Sequence, residues 1–381
     1  MTDMPVPHAG GSDSTLHPIT ETTAGVHSTH GWGTGTDAPV QGEEILRVDD
    51  LTVGFPTEDG IVHAVRGVSY GLREREVLGI VGESGSGKSV SSMALMGLLP
   101  PSAQISGTVA YRGRDVLTMS AKEQRGLRGR NIAMIFQDPM TALNPVYSIG
   151  DQLAEAVRSH EAISRSAALK RAEEMLDLVG IPQPSQRVKN YPHEFSGGMR
   201  QRAMIAMAVI NNPDIIIADE PTTALDVTVQ AQILEKLIEV KDAVNAAIIL
   251  ITHDLGVVAG MAHRVLVMYA GRPVEIGTTD DVFYRPRMPY TAGLLGSMPS
   301  LDGKDARLRP IKGAPPSLIN LPSGCPFNPR CPLATSVCTD KEPALTLTDD
   351  HDHYAACHHW DQMAEVDDPT AFFRAESKAA R

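Results

Sequence analysis

The sequence predicts an α/β fold, and three observations carry that expectation. First, short apolar runs at Val77–Val81, Ile132–Phe136, Ile215–Ala218 and Ala247–Ile251 have the length and unbroken apolar character of buried strands. Second, the first run passes directly into Gly82-Glu83-Ser84-Gly85-Ser86-Gly87-Lys88-Ser89, whose spacing is that of a phosphate-cradling P-loop. Third, Val90 to Leu99 mixes small and apolar residues as a helix does. Strand, glycine loop and helix are the context in which such a loop works. The glycines let backbone N–H groups turn inward on a triphosphate, and the helix N-terminus adds partial positive charge. In that arrangement Lys88 reaches the β- and γ-phosphates, and the Ser89 hydroxyl holds Mg²⁺.

The whole chain bounds the rest. Its 381 residues leave room for two or three domains, and 42% apolar with 21% charged residues is a globular composition. No apolar run approaches the roughly 18–20 residues needed to cross a bilayer. The N-terminus has no basic region followed by an apolar core. The chain is therefore expected in the cytoplasm, with any membrane role supplied by a partner. A net charge of −12 argues against nucleic acid as that partner, because phosphate-backbone affinity rests on clustered Lys and Arg. All four cysteines, Cys325, Cys331, Cys338 and Cys357, lie near the C-terminus, which in a cytosolic chain points to a metal or cluster site rather than to disulfides.

In chain order, residues 1–42 are rich in Gly, Thr, Ser and His and have little to bury, so they read as a disordered leader. Leu46–Val48 and Leu51–Phe55 alternate as a half-buried strand does, Glu58-Asp59-Gly60 is a turn, and Val62–Val68 resumes strand character. Phe55 either stacks on an adenine ring or packs in the core. Ile105–Tyr111 is a further strand. The strand ending at Phe136 is followed by Gln137, a polar residue placed to reach beside the phosphates, and Pro139 and Pro145 forbid regular continuation. Asp151 to Gly180 is predicted as helix, and Pro184 to Pro192 as an irregular connection.

Phe195-Ser196-Gly197-Gly198-Met199 opens a long apolar helix and makes a second anion-binding helix start. One chain has little use for two such starts on one triphosphate; two chains facing each other do. Ile215–Ala218 then ends in Asp219-Glu220, two carboxylates at the end of a buried strand. Asp219 suits Mg²⁺, and Glu220 suits the attacking water. Pro221 to Asp226 is a turn before a helix from Val227 to about Val240. The strand Ala247–Ile251 ends in Thr252-His253-Asp254, where His253 is placed to hydrogen-bond the γ-phosphate and the attacking water.

In this order Gly82–Ser89, Gln137, Phe195–Met199, Asp219-Glu220, Ala224-Leu225-Asp226 and His253 resemble the Walker A, Q-loop, signature, Walker B, D-loop and H-loop of an ABC-transporter ATPase, over about Ile45 to Asp281. The signature departs from the commonest form in having Phe195 for Leu and Met199 for Gln. Phe195–Arg202, Phe136–Pro145, and Asp281–Phe283 with Pro289–Thr291 are similar to the ATP-binding subunits of oligopeptide, dipeptide and nickel importers. That resemblance implies a P-loop NTPase domain over 43–285, with a helical subdomain at about 147–192 and the signature at 195–202. It also implies a loop-rich C-terminal extension over 286–360, before a polar tail at 361–381. It implies ATP bound at Phe55 and Gly82–Ser89, with Mg²⁺ at Ser89, Gln137 and Asp219. Catalysis would fall to Glu220, His253 and Gln137, while Phe195–Met199 would complete the ATP site of a related but distinct partner ATPase. Two membrane permeases and an extracytoplasmic binding protein would complete an importer of di- or oligopeptides on the cytoplasmic face of the membrane. Alternatives are an importer of nickel or another small solute, and an ABC-type ATPase not coupled to transport.

The spacing Cys325-x5-Cys331-x6-Cys338-x18-Cys357 lacks the short Cys-x2-Cys pairs usual in zinc ribbons. In the resembled importers, similar cysteines ligate an iron–sulfur cluster. A [4Fe-4S] cluster is therefore expected at these four positions, with Zn²⁺ and plain thiols as alternatives.

Overall fold

The glycine loop stands at the end of an inner strand of an eight-stranded sheet. The computed structural model describes residues 42–223, 226–298, 311–348, 352–366 and 368–373. The leader at 1–41, Ala224 and Leu225 of the turn before the helix Val227–Val244, and 374–381 of the tail lie outside the described residues.

Two sheets enclose the first core. β1 (Glu44–Thr57) and β2 (Gly60–Arg73) form a hairpin through the expected turn, with Gly60 at φ +126°. The sequence breaks its alternation between Val48 and Leu51, and the reason is a bulge in which Asp50 takes φ +47°. β3 (Val77–Val81) carries the glycine loop. β4 (Gln104–Tyr111) joins β1, and β5 (Arg114–Asp115) completes this antiparallel sheet in the order β2-β1-β4-β5. Its inward residues Val48, Val53 and Val68 pack with Leu78, Ile80, Ile217 and Ile249 of the second sheet.

The second sheet adds β6 (Ile132–Ile135), β7 (Ile215–Asp219), β8 (Ala247–Ile251), β9 (Arg264–Tyr269), β10 (Arg272–Thr278), β11 (Thr346–Leu347) and β12 (Tyr354–Ala355). The order is β11-β12-β10-β9-β3-β8-β7-β6, and β6, β7, β8, β3 and β9 run parallel. The unbroken apolar runs follow from burial of both faces of that parallel part, one under helices and the other under the antiparallel sheet and the helix Lys88–Leu95. β9 turns into β10 through Ala270-Gly271, both at positive φ (49° and 81°), the hairpin geometry that matches strand twist.

The helix expected over Asp151 to Gly180 is two helices, Ile149–Arg158 and Arg165–Leu178. The side chains of Ser148 and Ser164 cap their N-termini by accepting from the N–H groups of Asp151 and Ala167. The periodic apolar residues Leu153, Val157, Met175, Leu176 and Val179 meet face to face in the helical core, so one amphipathic pattern served two antiparallel elements. Pro184–Arg187, expected irregular, forms a short helix.

Beyond β10 the described residues form the helices Thr279–Tyr284 and Pro289–Gly296, then loops carrying the short helices Ser336–Asp340 and Trp360–Ala364, the helical turns Asn328–Arg330 and Pro369–Phe373, and the strand pair β11–β12. Glu275 on β10 pins this region. It is fully buried, accepts from the N–H groups of Arg287 and Met288, and pairs with Nε2 of the buried His353 at 2.8 Å. Buried donors stripped of their acceptor retain their desolvation cost. Glu275→Ala should therefore destabilise the chain by about 3 kcal/mol, read as a lowered urea midpoint; a midpoint unchanged from the parent would contradict this pinning role.

Candidate functional site

Because β6, β7, β8 and β3 are parallel neighbours, their carboxyl ends open on one edge of the sheet, where ligands of such folds bind. Ser84, Gly85, Ser86, Gly87, Lys88, Ser89 and Val90 line a cleft of about 550 Å³ there, together with Gln137 beyond β6, Glu220 beyond β7 and His253 beyond β8. Gly82 and Glu83 lie outside this lining. Gly82, at φ +148°, passes so close to Met268 that a Cβ would sit 2.2 Å from its carbonyl oxygen. Gly87, at φ +96°, approaches the Ala64 carbonyl equally closely. Glycine is required at both positions for contact as well as for conformation.

Lys88 is buried, and its Nζ donates to the carbonyls of Gly82 (2.7 Å) and Glu83 (3.0 Å). Burial lowers its pKa, opposed by the charges of Glu220, Asp219 and Glu83. The Ser89 hydroxyl donates to Asp219 Oδ1 at 2.8 Å, which sets two hard oxygen ligands side by side as Mg²⁺ requires. Burial pushes the Asp219 carboxyl above its ordinary range; the hydrogen bond from Ser89 opposes that and the charge of Glu220 adds to it. The buried Ser86 Oγ has no protein partner, which suits a ligand in the cleft.

Glu220 stands at φ +47°, a strained position for a side-chain-bearing residue, with its N–H bonded to the Ile251 carbonyl at 2.9 Å. This conformation carries the carboxylate off the strand into a small network. Gln137 Nε2 donates to Oε2 at 3.0 Å, Thr223 Oγ1 donates to the same oxygen at 2.8 Å, and His253 Nδ1 lies 3.4 Å from Oε1. Thr223 escaped the sequence reading; its only signal was its place three residues after Glu220.

The remaining expected residues are elsewhere. Phe55 is on β1 opposite Val62, half-buried against the core between the sheets, and does not line the cleft. Phe195 is in the helical core, and Ser196 caps the helix Gly197–Val209 by accepting from Met199 N–H; none of Phe195–Met199 lines the cleft. Asp226 caps the next helix by accepting from Val229 N–H.

The four cysteines are free thiols. Gly324, at φ +68°, lets Cys325 N–H bond to the Cys338 carbonyl at 2.7 Å. Cys325 and Cys338 are buried, and Cys331 and Cys357 pack against the same cluster. Burial raises the Cys325 thiol and pushes Cys331 and Cys357 up to about 12, with charges on neighbouring cysteines adding to each. The four thiols therefore share one region. Among the described residues no group of three or more His, Cys, Asp or Glu is arranged to hold a metal ion. The nearby histidines are engaged: His353 with Glu275, His358 with the Lys341 carbonyl, His359 with Thr335 Oγ1. His263 is remote, accepting from Val77 N–H; His351 lies outside the described residues.

Fold and cleft define a P-loop nucleotide hydrolase of the ABC class. The model of the ABC transporter family matches residues 65–223, and that of the oligopeptide/dipeptide transporter C-terminal region matches residues 274–338. The chain is 56% identical over 325 residues to the dipeptide transport ATP-binding protein DppD of Bacillus subtilis, covering 85% of this chain and 97% of that protein. It is 53% identical over 310 residues to the oligopeptide transport ATP-binding protein OppD of Salmonella typhimurium, covering 81% and 92%. A solved dimeric ATP-binding cassette in a post-hydrolysis state, bound to ADP and Pi, superposes with a TM-score of 0.55 at 26% identity, covering 61% of this chain and 98% of that one. The chain belongs to the family of ATP-binding proteins of oligopeptide and dipeptide ABC transporters.

Burial makes ionised Asp219 costly to the fold when no cation offsets its charge. Its pKa in the folded chain lies above the unfolded value, so the stability associated with its proton is present below the unfolded pKa and lost as pH rises through the folded one. Asp219→Asn, neutral at all pH and still able to accept from Ser89, should raise the Tm of the nucleotide-free protein at pH 7 by about 2 °C or more. The gain should fade as pH falls through the folded pKa and be gone below the unfolded one. Scanning calorimetry at neutral and acid pH checks both; a lower Tm for the variant at pH 7 would contradict the sign.

Proposed function

We infer that this chain is the ATP-hydrolysing subunit of an importer of di- or oligopeptides, peripheral on the cytoplasmic face of the membrane. The observation that carries the mechanism is the convergence of Gln137, Glu220 and His253 on the cleft that the glycine loop lines. The loop N–H groups and Lys88 bind the phosphates: the carbonyls of Gly82 and Glu83 hold two of the three ammonium donors of Lys88 and aim the third at a phosphate oxygen. Ser89 and Asp219 hold Mg²⁺, which when bound neutralises charge on the phosphate oxygens. Glu220 orients the attacking water and takes its proton, while Gln137 and His253 fix the carboxylate and contact the water or the γ-phosphate. A stacking role for Phe55 needs the base to lie beyond the cleft lining, against β1. Ser196–Gly198 lie outside the lining of this cleft and serve the ATP of a second, related but distinct ATPase chain. Domain limits follow as 43–285 for the ATPase part and 286–360 for the extension. Two permeases and an extracytoplasmic binding protein complete the assembly.

We also propose that Cys325, Cys331, Cys338 and Cys357 hold a [4Fe-4S] cluster. Donor chemistry supports it: four thiols in an apolar setting, with neighbouring histidines committed elsewhere. A four-iron cluster spreads its thiolates over four corners, a wider set than the ligands of one zinc ion.

Glu220→Gln should leave ATP binding intact and lower turnover of the assembled complex by about 100-fold or more; unchanged turnover would remove Glu220 as base. Anaerobic purification of the chain with its membrane subunits should give broad absorbance near roughly 400 nm and about four irons per chain. Zinc alone, or no metal, would overturn the cluster, and failure to recover membrane subunits would overturn the importer assignment.

A further inference from the structure

Glu83 is the second residue of the glycine loop, a position the loop's spacing leaves open to any residue. Here all three of its polar groups are engaged. Its carboxylate accepts a forked pair of hydrogen bonds from Arg330, Nη1 to Oε2 at 2.6 Å and Nη2 to Oε1 at 2.9 Å. Its N–H donates to the Tyr290 hydroxyl at 2.8 Å, and its carbonyl accepts from Lys88 Nζ at 3.0 Å. Two of these groups face the C-terminal region, and the third holds the ammonium of the nucleotide cleft.

Arg330 is itself fixed. Its side chain is only 5% exposed. Nε donates to the Lys312 carbonyl at 3.1 Å, and Nη1 also reaches the Tyr269 hydroxyl at 3.3 Å. The guanidinium lies 5.9 Å from the ring centroids of both Tyr269 and Phe327. Those two rings and Tyr290 pack against one another with centroids 4.5 to 5.4 Å apart. The backbone holding Arg330 is the turn Asn328–Arg330 between Cys325 and Cys331, closed by Cys331 N–H on the Asn328 carbonyl. An exposed ion pair adds little. A forked pair with one partner buried differs, since losing either member leaves a charge without compensation.

We propose that Arg330 is a positioning residue of the nucleotide site: it holds Glu83, and through the Glu83 carbonyl it sets Lys88, so that the cysteine-bearing segment governs the affinity of the glycine loop for nucleoside triphosphate. Arg330 does not line the cleft, and Gln137, Glu220 and His253 stand on other strands. Its effect therefore falls on binding rather than on the hydrolytic step. The strut acts whether or not the cysteines carry metal.

The test uses the full chain assembled with its membrane subunits, with ATP as the probe. Arg330→Ala should raise the Kd and KM for ATP about tenfold and leave kcat within about twofold. Arg330→Lys, which keeps the charge but lacks the fork, should recover only part of that loss. Glu83→Gln should weaken ATP binding similarly, and the double variant should be no worse than the worse single one. Iron per chain, measured on the same samples, should match the parent. An unchanged KM in Glu83→Gln overturns the proposal even where Arg330→Ala fails to fold. Multiplying effects in the double variant, or affinity lost only in step with iron, overturn it too.

Discussion

The parallel pairing of β6, β7, β8 and β3 is the constraint on which the site depends. Each strand contributes one turn beyond its carboxyl end, and parallel register brings those turns to one edge. Residues as far apart in the chain as Ser89, Gln137, Glu220 and His253 thereby share one cleft. A slip of one residue would turn Asp219 from its bond with Ser89 to the opposite face of the sheet. The apolar runs forbid that slip, since the helices on one face and the antiparallel sheet on the other leave no place for a displaced carboxylate.

Holding charge at this edge has a cost that the fold bears. Burial disfavours the charged forms of both Lys88 and Asp219, and Glu220 is kept in a left-handed backbone conformation. Two backbone carbonyls hold the Lys88 ammonium and leave its third donor for a phosphate oxygen, and the Ser89 hydroxyl keeps Asp219 beside it as a pair of oxygen ligands for a cation. Such a site is preorganised for its ligand, because the electrostatic penalty is met in folding rather than at the moment of reaction.

Among the described residues, buried or half-buried polar contacts join the C-terminal region to the ATPase sheet at Glu275, at Glu342 and at Glu83. Glu275 binds the chain after Thr279–Tyr284 together with His353; Glu342 bridges Arg66 on β2 and Arg272 on β10; Arg330 grips Glu83. The extension has few regular elements and little core of its own, so these contacts and the Tyr269–Tyr290–Phe327 cluster hold it in place. Two of the three anchors, at β2 and at Glu83, bear on the backbone that cradles the glycine loop, since Gly87 packs against the Ala64 carbonyl of β2.

The local signals in the sequence were strong wherever one segment suffices to define a structure. The glycine loop, the wholly apolar strands and the strand-end residues Gln137, Asp219, Glu220 and His253 are each contiguous patterns, and their order along the chain carried the family resemblance. Local pattern was weaker for the helix over Asp151 to Gly180, where one amphipathic period covered two antiparallel helices, because periodicity records which face is apolar and not where the chain reverses. It was silent on Thr223, on the left-handed turn at Glu220, and on Arg330. Those depend on pairings across the fold, Arg330 reaching Glu83 over 247 positions of sequence. What the sequence by itself determined is the set of phosphate-handling groups, since each is written in a short stretch. Only the tertiary structure decided which groups hold one another in place, because a buried ion pair between distant loops leaves no periodic or spacing signal in either segment.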